Sequence, residues 1–347
     1  MRHKIVPESI GEALALWAGK VPLPVVDALF PLVKARSLMA AEQLGVFEAL
    51  RQEPQSPAGL ARRLRLDEES LGLLLRVLAA SGYLEHRQGA YRLSPVARKT
   101  LVHGGRLDSR GFLRFNYAQW RFLECLEDLL RTGCGLDLHA SMQDAGEWES
   151  YQRAMMEIAR MHAPILARHL PVRPGAALLL DLGGSHGVLG AALCRRHPPL
   201  RSRVLELPAA LEPARRLARE EGIGDLVEHV GADLRTADLG SGADVVLLSN
   251  VLHHFSPEEG RDLVRKAWRA LGPGGTIAIW DVDRPPEGAQ PQMGTDVLAL
   301  FFRLTSGSRC YSAGEFRGWL LEAGFAAPHT VRPPLAPLYA LLHARKT

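Results

Sequence analysis

The sequence predicts an α/β protein in which a smaller helical module precedes a mainly parallel sheet. Three observations carry that reading. From residue 171 onward, short apolar runs alternate with helical segments. Before that point helical periodicity dominates, broken by one hairpin pattern. Where the strands begin, "AALLL" runs into "DLGGSHG" at residues 181–187, the mark of a buried strand feeding a helix through glycines.

A chain of 347 residues exceeds what one compact domain usually needs, so two domains are expected. Apolar residues make up 47% and charged residues 23%, the balance of a soluble globular protein. A net charge of +4 is too even to imply a nucleic-acid or membrane partner. The four cysteines, Cys125, Cys134, Cys194 and Cys310, form no CxxC pair. That argues against a metal site and fits a reducing compartment. The first twenty residues lack the apolar core of a secretory leader, and no stretch reaches membrane-span length, so a cytoplasmic protein is expected.

Residues 1–50 read as helices, with "LMAAEQLGVFEAL" (38–50) as one periodic run. Ser56 followed by Pro57 is a helix start, and Asp67 caps a second helix that Gly82 stops. "YLEHRQGAYRLS" then alternates and turns at Gly89, as a hairpin would. Helix, turn, helix and hairpin make a winged-helix pattern. Its second helix carries Glu68, Glu69 and Ser70, with Arg76 its only base. Acidic residues there would repel phosphates, so the module reads as a folding and dimerisation unit rather than a DNA reader. The expected divisions are a winged-helix-like dimerisation domain (1–108), helices near a substrate pocket (109–170) and the sheet domain (171–347).

Within 109–170, Gly111 and the pair Gly133 and Gly135 bound one helix, and a second puts Met155, Ile158, Ala159 and His162 on one face. In the sheet domain, "AALLLDLGG", "SRVLELP", "LVEHVGADL", "ADVVLLSNVLHH" and "GTIAIWDVD" are strand-like, and "LGPGG" (271–275) reads as the turn before the fifth. The tail adds an antiparallel pair around "RPP", for seven strands in all. Repeated β–α–β units imply parallel strands with helices on both faces.

The glycine loop is not a dinucleotide fingerprint. With Gly184 and Gly187 as its second and third glycines, the first falls on Leu182. Asp181 would set a carboxylate beside the ligand, repelling a pyrophosphate and attracting an ammonium and a sulfonium. S-adenosylmethionine (SAM) carries both, and Gly183, Gly184 and Gly187 would let the backbone approach it closely. Glu206, ending the second strand, suits a ribose diol, a role that NAD would also satisfy. Asp233 could accept a hydrogen bond from an adenine amino group with Leu234 against the ring, and Ser249 closes the fourth strand beside the same ligand.

"DLGGSHG", Glu206, "GADL", "VLHHFSPEE" and "LGPGG" in this order resemble a class I SAM-dependent methyltransferase with a Rossmann-like domain. With the winged-helix module, nearly the whole chain from about residue 20 resembles the plant caffeic-acid, hydroxyindole and bacterial polyketide O-methyltransferases. The resemblance implies methyl transfer from SAM to a hydroxyl of an aromatic small molecule, with S-adenosylhomocysteine as product. It makes His253 the general base, Asp281 the acid that orients it, and Phe255 a wall near the adenine. Ser185 stands where the family has a third glycine, and Cys310 where the plant enzymes carry a second glutamate. His254 reads as a structural or surface residue. Substrate-pocket candidates are Trp120, Met155, His162, Met293 and Phe302, for each of which core packing is an equal alternative. The resemblance also implies a homodimer in which each N-terminus helps line the partner's pocket. Two other functions stay open: a carbon methyltransferase or SAM-retaining decarboxylase or hydroxylase on the same fold, and a winged-helix regulator that senses SAM.

Overall fold

The computed structural model describes residues 5–347. Residues 1–4, which open the stretch read as helical and without a leader, lie outside the described residues. The chain separates into two compact units, Met1–Trp120 and Arg121–Thr347.

In the first unit, α1 (Ile10–Trp17) and α2 (Leu23–Gln43) are followed by the short α3 (Val46–Ala49). The run 38–50 is therefore two helices rather than one. Gly45 at φ 73° breaks it, because a left-handed residue cannot continue a right-handed helix. Next come α4 (Pro57–Leu64) and α5 (Glu68–Ala80). Their starts lie where the caps predict: Ser56 Oγ accepts from the Gly59 amide and Asp67 from the Ser70 amide. Strands β1 (Leu84–Arg87) and β2 (Ala90–Leu93) pair antiparallel across Gln88 and Gly89, both at positive φ, as a two-residue hairpin turn requires. Helices α6 (Pro95–Thr100) and α7 (Arg110–Leu123) follow, the unit boundary falling inside α7. Phe47, Leu60, Leu75, Leu78 and Leu93 form a closed core under the hairpin. Helices α1 and α2 contribute little to it: Trp17 is 87% exposed, and Ile10, Leu14, Val25 and Phe30 are also exposed.

The second unit opens with α8 (Leu126–Thr132), α9 (Leu138–Ser141) and α10 (Ala145–His169). The segment read as one helix up to Gly133 is thus broken near Cys125, with Gly133 at φ 71° capping α8. Then follow β3 (Leu178–Leu182), α11 (Val188–Arg196), β4 (Arg201–Glu206), α12 (Leu211–Glu220), β5 (Val227–Gly231), β6 (Ala243–Ser249), α13 (Pro257–Ala270), β7 (Leu271–Val282), α14 (Met293–Thr305), α15 (Ala313–Glu322), β8 (Ala326–Val331) and β9 (Tyr339–Arg345). The sheet order is β5-β4-β3-β6-β7-β9-β8, with only β9 antiparallel to its neighbours. "LGPGG" is not a turn ahead of the strand. Leu271 pairs with Ala243 and Thr276 with Val245, so Gly272–Gly275 is extruded as a bulge within β7.

Every residue of β6 is buried, as a central parallel strand covered on both faces must be. Helices α10, α11 and α12 cover one face, and α13 and α15 the other. The chain runs outward from β3 through β4 to β5, then returns to place β6 on the other side of β3. That reversal opens a crevice at the carboxyl ends of β3 and β6, the usual ligand position in open α/β sheets. Among the described residues, no helix is long and apolar enough to cross a membrane.

Candidate functional site

The crevice is walled by the loops that leave β3, β4, β5 and β6. Gly183, just past β3, sits at φ 68°, and a Cβ there would lie 2.7 Å from the Val251 side chain. Ser185 takes φ 52° without being glycine, at a cost of about 1–2 kcal/mol. Glu206 holds it there: one carboxylate oxygen accepts from the Ser185 amide at 3.0 Å, the other from the Leu207 amide at 2.8 Å. The carboxyl that ends β4 therefore clamps the glycine loop from across the strand gap. Burial raises its pKa.

Gly183, Glu206, Asp233, Leu234 and Phe255 line one cavity, as the sequence reading groups them. Gly184, Gly187 and Ser249 do not line it. A Cβ on Gly187 would lie 2.6 Å from Val227, so this glycine lets α11 pack close to the sheet. Ser249 is buried at the end of β6, and its neighbour Asn250, at φ 50°, faces the cavity instead. Asp181 also departs from its expected place. Its side chain turns to the α11 side of β3, where only glycines leave room: Cβ atoms on Gly184 and Gly190 would lie 2.3 Å and 2.9 Å from its carboxyl group. It is fully buried, with the Gly190 backbone amide beside it but no hydrogen bond of good geometry to either oxygen. Burial, with the charge of Glu206, raises its pKa to about 7.

His253 lies in a 3-10 turn, Leu252–His254, after β6. Its Nδ1 is 2.9 Å from Oδ1 of Asp281, near the end of β7, and both residues are 2% exposed. The Val282 amide donates to the same Asp281 oxygen at 2.8 Å. The Phe302 ring covers the imidazole at a centroid distance of 4.0 Å. Cys310 is buried, and its thiol pKa is pushed up by burial and by the charge of Asp281, so it carries no charge that could replace a second carboxylate. His253 stands beside the cavity rather than in its lining.

His254 is the correction here. It lines the cavity, its ring 4.3 Å from that of His253 and 4.6 Å from that of His139. His139 was not singled out from the sequence. It comes from the four-residue α9, which Asp137 caps by accepting from the Ala140 amide. Four residues are too few to show a period, although the Asp137 cap signal was legible. The His139 ring stacks flat on Trp148, and its Nε2 is 3.3 Å from the Tyr151 hydroxyl. Burial lowers His139 to about 4 and His254 well below its ordinary value, so both imidazoles are neutral at pH 7.

The remaining pocket candidates scatter. Phe302 meets His253. Met293 is 57% exposed at the first turn of α14. His162 is buried against Trp280 and Tyr339, with its pKa lowered to about 4 by burial, and does not line the cavity. Met155 is half-buried on α10 and also outside the lining. Trp120, in the first unit, lies under the Arg36 guanidinium at 5.5 Å.

Comparison with known proteins gives the same picture at family level. Residues 128–326 match the O-methyltransferase domain, and residues 26–103 match the O-methyltransferase dimerisation domain. The chain is 30% identical over 337 residues to the mitomycin biosynthesis 6-O-methyltransferase of Streptomyces lavendulae, covering 92% of each. It is 28% identical over 317 residues to the 3-hydroxy-5-methyl-1-naphthoate 3-O-methyltransferase of Streptomyces sahachiroi, covering 90% of this chain and 91% of that one. Its fold superposes on human N-acetylserotonin methyltransferase in complex with SAM with a TM-score of 0.84, at 20% identity, covering 98% of this chain and 99% of that one.

Proposed function

The chain belongs to the SAM-dependent O-methyltransferase family of aromatic secondary metabolites, and on that premise we propose that it methylates a hydroxyl of an aromatic small molecule with His253 as general base. The observation that carries the reading is the buried His253–Asp281 pair at 2.9 Å beside the cavity. The cavity lining suits SAM: two carboxylates, Glu206 and Asp233, face it, which a pyrophosphate would meet as repulsion. Glu206 would hold the ribose, Asp233 and Leu234 the adenine, with Phe255 as its wall. SAM supplies an electrophilic methyl group on a sulfonium.

The residues of this chain would do the rest. Asp281 accepts a hydrogen bond from the Nδ1–H of His253, which leaves Nε2 with the lone pair. A phenol has a pKa of about 10, so at neutral pH its proton must be removed as its oxygen attacks. Nε2 takes that proton, and Asp281 stabilises the resulting imidazolium. Phe302 keeps water from the imidazole face. The two relatives named above act on a naphthoate and in mitomycin biosynthesis. For this chain the same chemistry favours a hydroxylated polycyclic aromatic.

Incubation with SAM and a panel of phenolic, polyketide and carboxylate acceptors, read by mass spectrometry, tests the reaction class. The expected product has gained one methyl on an aromatic oxygen, with one S-adenosylhomocysteine released. A methyl on carbon, a lost carboxyl or an added oxygen would overturn it.

We also propose a homodimer through the first unit. The dimerisation-domain match and the exposed apolar residues of α1 and α2 support it, since a two-fold pair would remove Trp17, Leu14 and Phe30 from water. Light scattering at micromolar concentration should report a dimer, which Trp17→Glu with Phe30→Glu weakens. A fully active monomer would refute the pairing.

A further inference from the structure

The 3-10 turn that carries His253 and ends at Phe255 has only two backbone hydrogen bonds of its own, from the His254 amide to Val251 O and from the Phe255 amide to Leu252 O, both 3.1 Å. His253 and Phe255 are both buried. Buried carbonyls need donors, and backbone amides do not supply them here. Three hydroxyls from Ser306–Tyr311 do. Phe255 O accepts from both Ser308 Oγ and the Tyr311 hydroxyl, the latter at 2.7 Å. The two hydroxyls lie 3.3 Å apart. His253 O accepts from Ser306 Oγ at 2.9 Å, although that single proton is shared with Phe302 O at 2.6 Å.

We propose that Ser308 and Tyr311 are positioning residues for the cofactor, acting through the carbonyl of Phe255, and that Ser306 positions the base through the carbonyl of His253. The proposal rests on reading Phe255 as a wall of the cofactor cavity. Packing alone does not require these hydroxyls. The Tyr311 ring meets Phe316 and Trp319 edge-on at 5.8 Å and 4.6 Å, contacts that a phenylalanine would make equally well. Tyr311 is fully buried, and burial holds its phenol above the ordinary range, so the donor keeps its proton. The carbonyl of Phe255 is tied to the 306–311 segment, while the residue lines the cavity with the Arg235 guanidinium 4.8 Å from its ring centroid. Loosening the carbonyl therefore tilts the wall. The same segment also carries the main-chain bridge between Asp137 and Ser306, so it holds α9 and its His139 as well.

The two halves of the proposal separate experimentally. Tyr311→Phe, Ser308→Ala, their double variant, Ser306→Ala and Ser306→Thr would be made in the full chain. S-adenosylhomocysteine affinity would be read by calorimetry, and the His253 Nδ1 proton by NMR in the unliganded protein. Each Phe255-side single variant should bind several-fold more weakly and the double variant about tenfold more weakly, roughly 1.4 kcal/mol, with the His253 signal unchanged. Ser306→Ala should shift that signal and leave affinity nearly intact, and Ser306→Thr should restore it. A folded double variant with unaltered affinity would overturn the cofactor half, and an unmoved signal in Ser306→Ala the base half. Should the double variant not fold, Tyr311→Phe alone decides, by the same comparison. Failure of the unaltered protein to bind S-adenosylhomocysteine would instead bring down the cofactor reading on which this rests.

Discussion

His253→Ala is expected to lower turnover by roughly two to four orders of magnitude while leaving S-adenosylhomocysteine affinity nearly unchanged. The reason is positional. The imidazole lies beside the cofactor cavity rather than in its lining, so its loss removes a proton acceptor and not a cofactor contact. Asp281→Asn should cost less, because the ring remains but its tautomer is no longer enforced. Cys310→Ala should matter little, since a buried protonated thiol gives the imidazolium no charge to lean on. For a phenolic acceptor, raising the pH should restore part of the His253→Ala activity, because the acceptor's own ionisation replaces the base. Steady-state rates against pH for the three variants, with a calorimetric titration of each, make the check. Full activity of His253→Ala at neutral pH would show that the acceptor arrives already ionised or that positioning alone suffices.

Asp181→Asn is expected to stabilise the unliganded protein at pH 8. In the folded chain the carboxyl pKa is raised from 3.8 to about 7. The folded state therefore holds a proton that the unfolded chain gives up above pH 4. Stability from this group is present at low pH and is lost as pH rises through about 7. At 1.36 kcal/mol per pH unit the full loss is at most on the order of 4 kcal/mol. Asparagine carries no charge to bury, although its amide must find partners in a site that offers the carboxyl little beyond the Gly190 amide. Melting temperatures of the two proteins should coincide near pH 4, separate up to about pH 7 and hold that gap to pH 8, with the variant higher. Parallel melting curves across this range would show that Asp181 does not carry the buried charge.

The features that the sequence determined by itself are those written over a few neighbouring residues. Ser56 with Pro57 and Asp67 announce their helices because a cap acts within one turn. Gly89 announces the hairpin, and Gly183 and Gly187 the turn from β3 into α11, because positive φ is a local demand. Seven strands, their mainly parallel order and the cofactor class followed from alternation and from acids placed at strand ends. His253 and Asp281 were named through the family resemblance and Phe302 as a pocket candidate, and the fold brings the three together.

Only the tertiary structure decided where side chains point once segments pack. Asp181 and Glu206 both stand at the carboxyl end of a strand, yet one turns under Gly190 and the other into the cavity, according to which neighbour leaves space. His254 faces the cavity because α9, more than a hundred residues earlier in the chain, sets His139 against it. Met293 and His162 were both pocket candidates, but α14 leaves one in solvent and α10 seals the other against Trp280. Period and capping are short-range properties of the backbone. The direction of a side chain at the end of a strand depends on volumes supplied by distant segments, and no local pattern records them.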